Sequence, residues 1–429
     1  MDYRGAGVGV YRQIFAGGAV KSDGLTVVAP VLPPDVVATA QILAQAGMLR
    51  LLVTRSVLNP LASRLLRGCG LRSLADRPAA PVARDRVSAS IWADLVDYSY
   101  RWRGHSSTRA TDRSFAVVDR SARRFLTAAS LAVFAREDCC RLTFARAREL
   151  GVTTVYQLPT GYWRVVKDLM GREIAEFPGV CRAAAARDDY GDDRGGRKDE
   201  ELALSDNVLA PSTFVQNSLR SYPGKQKTVQ AIPFGGTPRP PSGRIAEARP
   251  VFLYVGNVTM RKGVHRLLLA WRELRAYKTH ELRLVGDMYL RESFLSGFRG
   301  MYTHVPRVPR FELENHYSAA SLLVFNAVAD GFGNVLTEAM ARGLPIIASR
   351  NSGAPDLVED GREGRLVDYG DNEQLMGALD NALSNPSGFQ LMGELGRAKA
   401  LSWTWDHYGK RFMSWLAGVL PRTEPVGEA

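Results

Sequence analysis

The sequence predicts an α/β chain of two doubly wound, Rossmann-like halves. Three observations carry this. The chain has 429 residues, more than one hydrophobic core usually serves. Short apolar runs alternate with amphipathic stretches in both halves, the pattern of strands followed by helices. Between them lies PFGGTPRPPSGRIAEARP (233–250), rich in Pro and Gly and almost without apolar periodicity. The expected division is an amino-terminal domain over 1–232, a linker over 233–249, a carboxyl-terminal domain over 250–402, and a last helix with its tail over 403–429.

In the first half, LTVVAPVL (25–32) reads as a buried parallel strand. ATAQILAQAG follows as a helix closed by Gly47, and LRLLVTR as the next strand, which makes a βαβ unit. NPLASRLLRGCGLRSL (59–74) is rich in Leu and Arg. It either lies on an anionic membrane surface as an amphipathic helix or packs its apolar side into the domain. VTTVYQLP (152–159) and DNVLAPS (206–212) repeat the strand-then-loop theme. ARDDYGDDRGGRKDEE (186–201) predicts an exposed loop running into a helix.

The second half opens with PVFLYVGN (250–257), a strand ending in glycine. The helix VHRLLLAWRELRAY follows, then the strands ELRLVGD, SLLVFNA and LPIIASR. In WTWDHYGKRFMSWLAGVL (403–420), Trp405, Tyr408, Phe412, Trp415 and Leu416 share one helical face, which suits a helix packed across both domains.

The net charge of +12 favours anionic partners. No helix-turn-helix, RRM or zinc-finger signature is present, so nucleic acid is not the expected partner. Nucleoside diphosphates and anionic lipid headgroups remain. Cys69, Cys139, Cys140 and Cys181 form no CxxC pair and no metal-ligand spacing, so reduced thiols are expected. No stretch approaches the ~18 apolar residues of a membrane span. The first residues lack a secretory core, so a cytoplasmic location is expected.

One stretch carries chemistry: ADGFGNVLTEAMARG (329–343). Asp330 follows an apolar strand. Gly331, Phe332, Gly333 and Asn334 form the turn, and a helix runs on to Arg342, with Gly343 as its stop. Unpaired amides at a helix start and close backbone approach at glycine suit a pyrophosphate. Glu338 either steadies the helix dipole or accepts hydroxyls from a ribose. Asp330 is either a turn aspartate or part of the same site. GNVTMRKGVHRLL (256–268) places Arg261 and Lys262 in the loop after the domain's first strand, where two cations can neutralise a diphosphate.

Taken together, VFLYVGNVTMRKGVHRLLLAW, ELRLVGD, HVPR, LENHYSAASLLVFNAVADGFGNVLTEAMARGLPIIAS and SGAPDLVEDGREGRLV resemble the donor domain of family-4-type retaining glycosyltransferases. Those proteins have the GT-B fold: two Rossmann-like doubly wound domains facing across a cleft, with a carboxyl-terminal helix crossing back to the amino-terminal domain. The resemblance covers about residues 250–420, and more weakly 200–235. It implies that Asp330 faces the donor sugar and that Glu338 binds the ribose. Asp330 stands where the family has Glu, and Asn257 where it has Arg; Arg261 beside Lys262 is expected to supply that charge. Ser352 and Gly353 are expected to turn their amides to the sugar or phosphate. The base is expected near His304, Val305 and Pro306.

The implied reaction moves a sugar, with retention, from a nucleotide-diphosphate sugar to a hydroxyl of a lipid-linked or envelope glycan. It takes place at the inner face of the membrane and needs no metal or other cofactor. On the acceptor side stand Gln157 and Trp163 of YQLPTGYW, and His105, the first half's one histidine. A catalytically silent nucleotide-sugar-binding module and a sugar-nucleotide epimerase are the alternatives. An NAD enzyme fits poorly, because no GxGxxG follows the first strand of either half.

Overall fold

The computed structural model describes residues 23–58, 60–68, 77–181, 192–238, 245 and 247–421. Two parallel sheets organise them. The first contains β1 (Leu25–Val28), β2 (Leu49–Arg55), β3 (Val87–Ser90), β4 (Ala132–Arg136), β5 (Thr153–Gln157), β6 (Asn207–Ala210) and β7 (Thr228–Ala231). Its order is β3-β2-β1-β4-β5-β6-β7. The second contains β8 (Val251–Val255), β9 (Glu281–Val285), β10 (Thr303–Val305), β11 (Ala320–Phe325), β12 (Ile346–Ser349) and β13 (Gly364–Val367), in the order β10-β9-β8-β11-β12-β13. Every residue of β1 and β8 is buried, as expected of central strands covered on both faces. In each sheet the order reverses beside the first strand, so a crevice opens at the strands' carboxyl ends.

Helices connect the strands. α1 (Pro34–Gln45) starts on a proline, whose missing amide costs nothing at that position, and ends before Gly47 at φ +74°. α2 (Pro60–Gly68) and α3 (Ile91–Trp102) lie on the amino-terminal domain. α4 (Trp163–Glu176) belongs to that domain in sequence, yet its Val166 and Met170 enter the core of the other. α5 (Val264–Glu273) follows β8, and α6 (Asn334–Met340) follows β11. α7 (Trp405–Val419) packs back on the first domain: Tyr408 and Thr39 of α1 share a hydroxyl hydrogen bond of 3.0 Å, and Phe412 meets Phe134 of β4 edge-on. The last helix thus crosses between domains, as its aromatic face predicts.

The described part of the 233–249 stretch runs beside the return crossing. Trp403 Nε1 donates to the Phe234 carbonyl at 2.9 Å, and the Gly236 amide to the Trp403 carbonyl at 2.8 Å. Residues 239–244 and 246 lie outside the described residues.

The 186–201 stretch runs into a helix as expected, Asp192–Leu204, which turns several of its charges toward buried partners; residues 186–191 lie outside the described residues. Lys198 pairs with Glu137, and Arg197 with Asp112 and Asp138. Paired charges tolerate burial that lone ones do not. Glu201 there accepts from the Asp138 and Cys140 amides. Burial, then the Asp138 carboxylate, pushes its carboxyl up to about 8. In the 59–74 stretch, α2 leaves Leu61 66% and Leu65 64% exposed, so those leucines do not pack into the domain; 69–74 lie outside the described residues.

Candidate active site

A cavity of about 820 Å³ opens between the carboxyl ends of the two sheets. The amino-terminal domain contributes Asp35 and Arg136 to its lining; the carboxyl-terminal domain contributes Asn257, Arg261, Lys262 and Asp330.

The donor-side wall is built from two strand-end loops. Gly263 closes the first at φ +71°, and a Cβ there would lie 1.6 Å from the Asn326 carbonyl, so only glycine lets the loops pack together. Arg261 is held to the second loop: Nη1 donates to the Ala329 carbonyl at 3.0 Å, and its own carbonyl accepts from the Val328 amide at 2.9 Å. Lys262 Nζ contacts the Asp330 carboxylate and lies 5.4 Å from the centre of the Phe325 ring. Burial, and then Arg261, lowers the lysine's pKa. The carboxylate in direct contact opposes this, and we take the pair as ionised. Asp330 is also fixed by its other oxygen, which accepts from the Phe332 amide at 3.1 Å.

The rest of the loop divides in two. Phe332, Gly333 and Asn334 line the cavity. Gly331 faces the other domain: its carbonyl accepts from Ser212 Oγ at 2.6 Å. Glu338 lies one turn further along α6, outside the cavity lining. Its oxygens accept from Arg310 Nη2 at 3.0 Å and Tyr317 OH at 2.9 Å. Burial, then Glu338, holds the Tyr317 hydroxyl well above its ordinary pKa.

Several expected contacts take other partners. Ser352 is fully buried; its hydroxyl donates to the Ser349 carbonyl and accepts from the Ala354 amide. The Gly353 amide donates to the Phe332 carbonyl at 2.9 Å. The Gly353 amide and the Ser352 hydroxyl are therefore spent on bracing the loop. Val305 ends edge strand β10 outside the cavity lining, and the His304 ring meets the Gly286 carbonyl at 2.8 Å.

On the acceptor side, Trp163 does not line the cleft. It packs in the amino-terminal core, where its indole donates to Asp199 at 2.8 Å. A buried indole needs a partner for its N–H, and Asp199 supplies one. His105 is exposed against Tyr100, beside Ser107 and Thr108, which do line the cavity. Gln157 is buried one layer back, donating to Asp35 at 2.7 Å. Asp35 and Arg136 are the site residues that the sequence reading missed. The available signal was their place: one lies in the first turn of α1, just after a Pro-Pro pair that follows β1, and the other ends β4.

Among the described residues, no cluster of three His, Cys, Asp or Glu side chains could hold a metal ion. No helix among them is long and apolar enough to cross a membrane.

Residues 239–399 match the family model of glycosyl transferases group 1. The chain is 26% identical over 358 residues to the GDP-mannose-dependent alpha-(1-6)-phosphatidylinositol monomannoside mannosyltransferase of Mycolicibacterium smegmatis, covering 76% of this chain and 90% of that protein. It is 29% identical over 234 residues to the D-inositol 3-phosphate glycosyltransferase of Thermobifida fusca, covering 48% of this chain and about half, 54%, of that protein. In structure it is similar to sucrose-phosphate synthase from Thermosynechococcus elongatus, with a TM-score of 0.62 and 18% identity over 92% of this chain and 98% of that one. It is also similar to Anabaena HepE in complex with UDP-glucose, with a TM-score of 0.56 and 14% identity over 92% and 99% of the two chains. The structural likenesses carry the fold, GT-B, and the sequence matches place residues 239–399, most of the carboxyl-terminal domain, among the glycosyl transferases group 1.

Proposed function

We propose that this protein transfers a sugar from a nucleotide-diphosphate sugar to a hydroxyl of a lipid-linked or envelope glycan, with retention at the anomeric carbon. The observation that supports it best is the wall where Arg261, Lys262 and Asp330 meet in one cleft. As the sugar–phosphate bond breaks, negative charge grows on the leaving diphosphate. Arg261 and Lys262 line the cleft and can meet that charge as it grows. Lys262 moves from Asp330 to the diphosphate as the donor enters, and Asp330 is then left to meet the sugar's hydroxyls. Glu338 exchanges Arg310 for the ribose. The two protein cations take the role a metal would have, and turnover is expected to survive a chelator. Attack from the leaving-group face, with the departing phosphate as base, accounts for retention.

The test is a thermal-shift series with UDP-, GDP-, ADP- and dTDP-sugars, because a ligand of the native state must raise its stability. One of them is expected to raise Tm, and NMR of the product then reads the anomer. A flat series would remove the donor role; an inverted product would remove retention. Binding without transfer or hydrolysis would favour the silent module. A new sugar nucleotide formed without acceptor would favour the epimerase.

A lipid-linked acceptor fits one further observation. On the amino-terminal domain, Leu61 and Leu65 of α2 and Trp92, Tyr98 and Trp102 of α3 stand exposed, the two tryptophans at 69% and 79%. Arg64 and Arg103 are exposed on the same two segments. Apolar and aromatic side chains with cations suit the interface of an anionic bilayer. We propose that these exposed side chains rest on the inner surface of the cytoplasmic membrane. Co-sedimentation with anionic vesicles, weakened in a Trp92→Asp/Trp102→Asp variant, is the expected result. Equal sedimentation of both proteins would argue against it.

A further inference from the structure

We propose that Asp35 and Arg136 form a subsite for a vicinal diol of the acceptor, on a neutral polyol or sugar ring, across the cleft from Arg261 and Lys262. The inference rests on the glycosyl-transfer reading and specifies what the amino-terminal wall recognises.

Asp35 lies in the first turn of α1 and is only 3% exposed, yet it lines the cavity. One of its oxygens, Oδ2, receives two donors: Arg136 Nη1 at 2.7 Å and Gln157 Nε2 at 2.7 Å. The triangle closes, because Arg136 Nη1 also donates to Gln157 Oε1 at 3.2 Å. Arg136 ends β4 and Gln157 ends β5, so two neighbouring strands supply the guanidinium and the amide that hold the α1 carboxylate at the cavity wall.

Anchoring α1 does not require this trio. Val36, Ala38, Ala40 and Leu43 are already buried, and Thr39 reaches Tyr408 of α7. Apolar side chains could fill a purely structural position at least as well, because a buried ion pair is weak evidence of stabilisation. Polar groups placed on a cavity wall are better explained by what enters the cavity.

The chemistry of the pair selects the ligand. A carboxylate accepts from one hydroxyl, and a guanidinium beside it donates to the next, which matches adjacent hydroxyls on a ring. The pair carries no net charge, so it gives a phosphate no advantage. The opposite wall has two cations against one carboxylate and suits the diphosphate. The two walls thus sort a charged donor from an uncharged acceptor ring.

The test uses the full chain and two variants, Asp35→Asn and Arg136→Gln, each checked for folding by circular dichroism. Saturation-transfer NMR follows myo-inositol and methyl α-D-mannopyranoside, with UDP or GDP present. Calorimetry measures UDP-glucose and GDP-mannose. Wild-type protein is expected to show polyol contacts, and either variant to weaken them at least tenfold, while donor Kd stays within twofold. Polyol contacts that persist in a folded variant, or that are missing from the wild type, overturn the proposal. A donor Kd that rises in parallel reduces the trio to structural support and also overturns it. Should neither nucleotide sugar bind the wild type, the transfer reading is what fails, and the polyol comparison still decides the subsite.

Discussion

Gly331 of the donor loop stands against Pro159 of the amino-terminal domain so closely that a Cβ on it would lie 1.8 Å from the Pro159 carbonyl oxygen. Backbone meets backbone there, and neither side has a flexible end to give way. Gly331→Ala is therefore expected to push the two loops apart and widen the cleft. Turnover should fall at least tenfold, about 1.4 kcal/mol in barrier, with a larger radius of gyration in small-angle scattering and little change in Tm. Unaltered scattering and turnover would show that the contact does not hold the domains at this spacing.

Lys262 and Asp330 separate stability from chemistry. Lys262→Met strands a largely buried carboxylate, so both Tm and activity should drop. Adding Asp330→Asn removes the stranded charge and should recover most of the Tm. Activity should stay down about 100-fold or more, near 2.7 kcal/mol, the usual cost of losing a donor to a developing anion. Recovered turnover in the double variant would contradict the diphosphate role. Asp330→Ala alone is expected to lower transfer more than donor affinity; equal losses would point to its hold on the Phe332 amide instead.

Local signals made the donor side legible. VFLYVGN and SLLVFNA read as buried strands because their neighbours on both faces are apolar too, and the glycines after them mark where loops must turn tightly. The charges that matter there, Arg261, Lys262 and Asp330, sit in the loops just past those same short stretches. The acceptor side was not legible in this way. Asp35 and Gln157 meet across 122 positions, and no pattern within a helix or strand links them. Trp163 shows the opposite failure. An aromatic residue just past a strand looks the same in sequence whether it lines a cleft or fills a core, and only Asp199 decides between the two.

Glu338 offers a test of the ribose role against a bracing role. Glu338→Ala should weaken nucleotide affinity by about tenfold, the worth of one or two hydrogen bonds to a charged group. Tyr317→Phe removes one of the two groups now holding that carboxylate and leaves the carboxylate itself in place, so affinity should hold or rise slightly. If both variants lose the same Tm and neither changes nucleotide Kd, Glu338 serves the Arg310–Ala319 helix and not the donor.

Glu173 of α4 is a clasp between the domains whose strength depends on pH. Its side chain is wholly buried against the carboxyl-terminal domain, meeting His265 at 2.5 Å, Arg266 at 2.6 Å and the Tyr369 hydroxyl at 2.7 Å. Burial alone would raise its pKa. The hydrogen bonds from His265, Arg266 and Tyr369 outweigh that and hold the carboxyl at about 2, against an ordinary value of 4.5. A pKa depressed by folding adds stability above the unfolded value, and that stability drains away as pH falls through the folded one. The wild-type Tm should therefore fall steeply between pH 4.5 and about 2. Glu173→Gln should lower Tm near neutral pH and flatten that limb, so that the two curves converge at the acid end. Because His265 and Arg266 lie in α5, just past Lys262, the variant should also loosen the donor wall and raise the nucleotide Kd. Parallel Tm curves for the two proteins across the acid range would show that the clasp contributes no proton-linked stability.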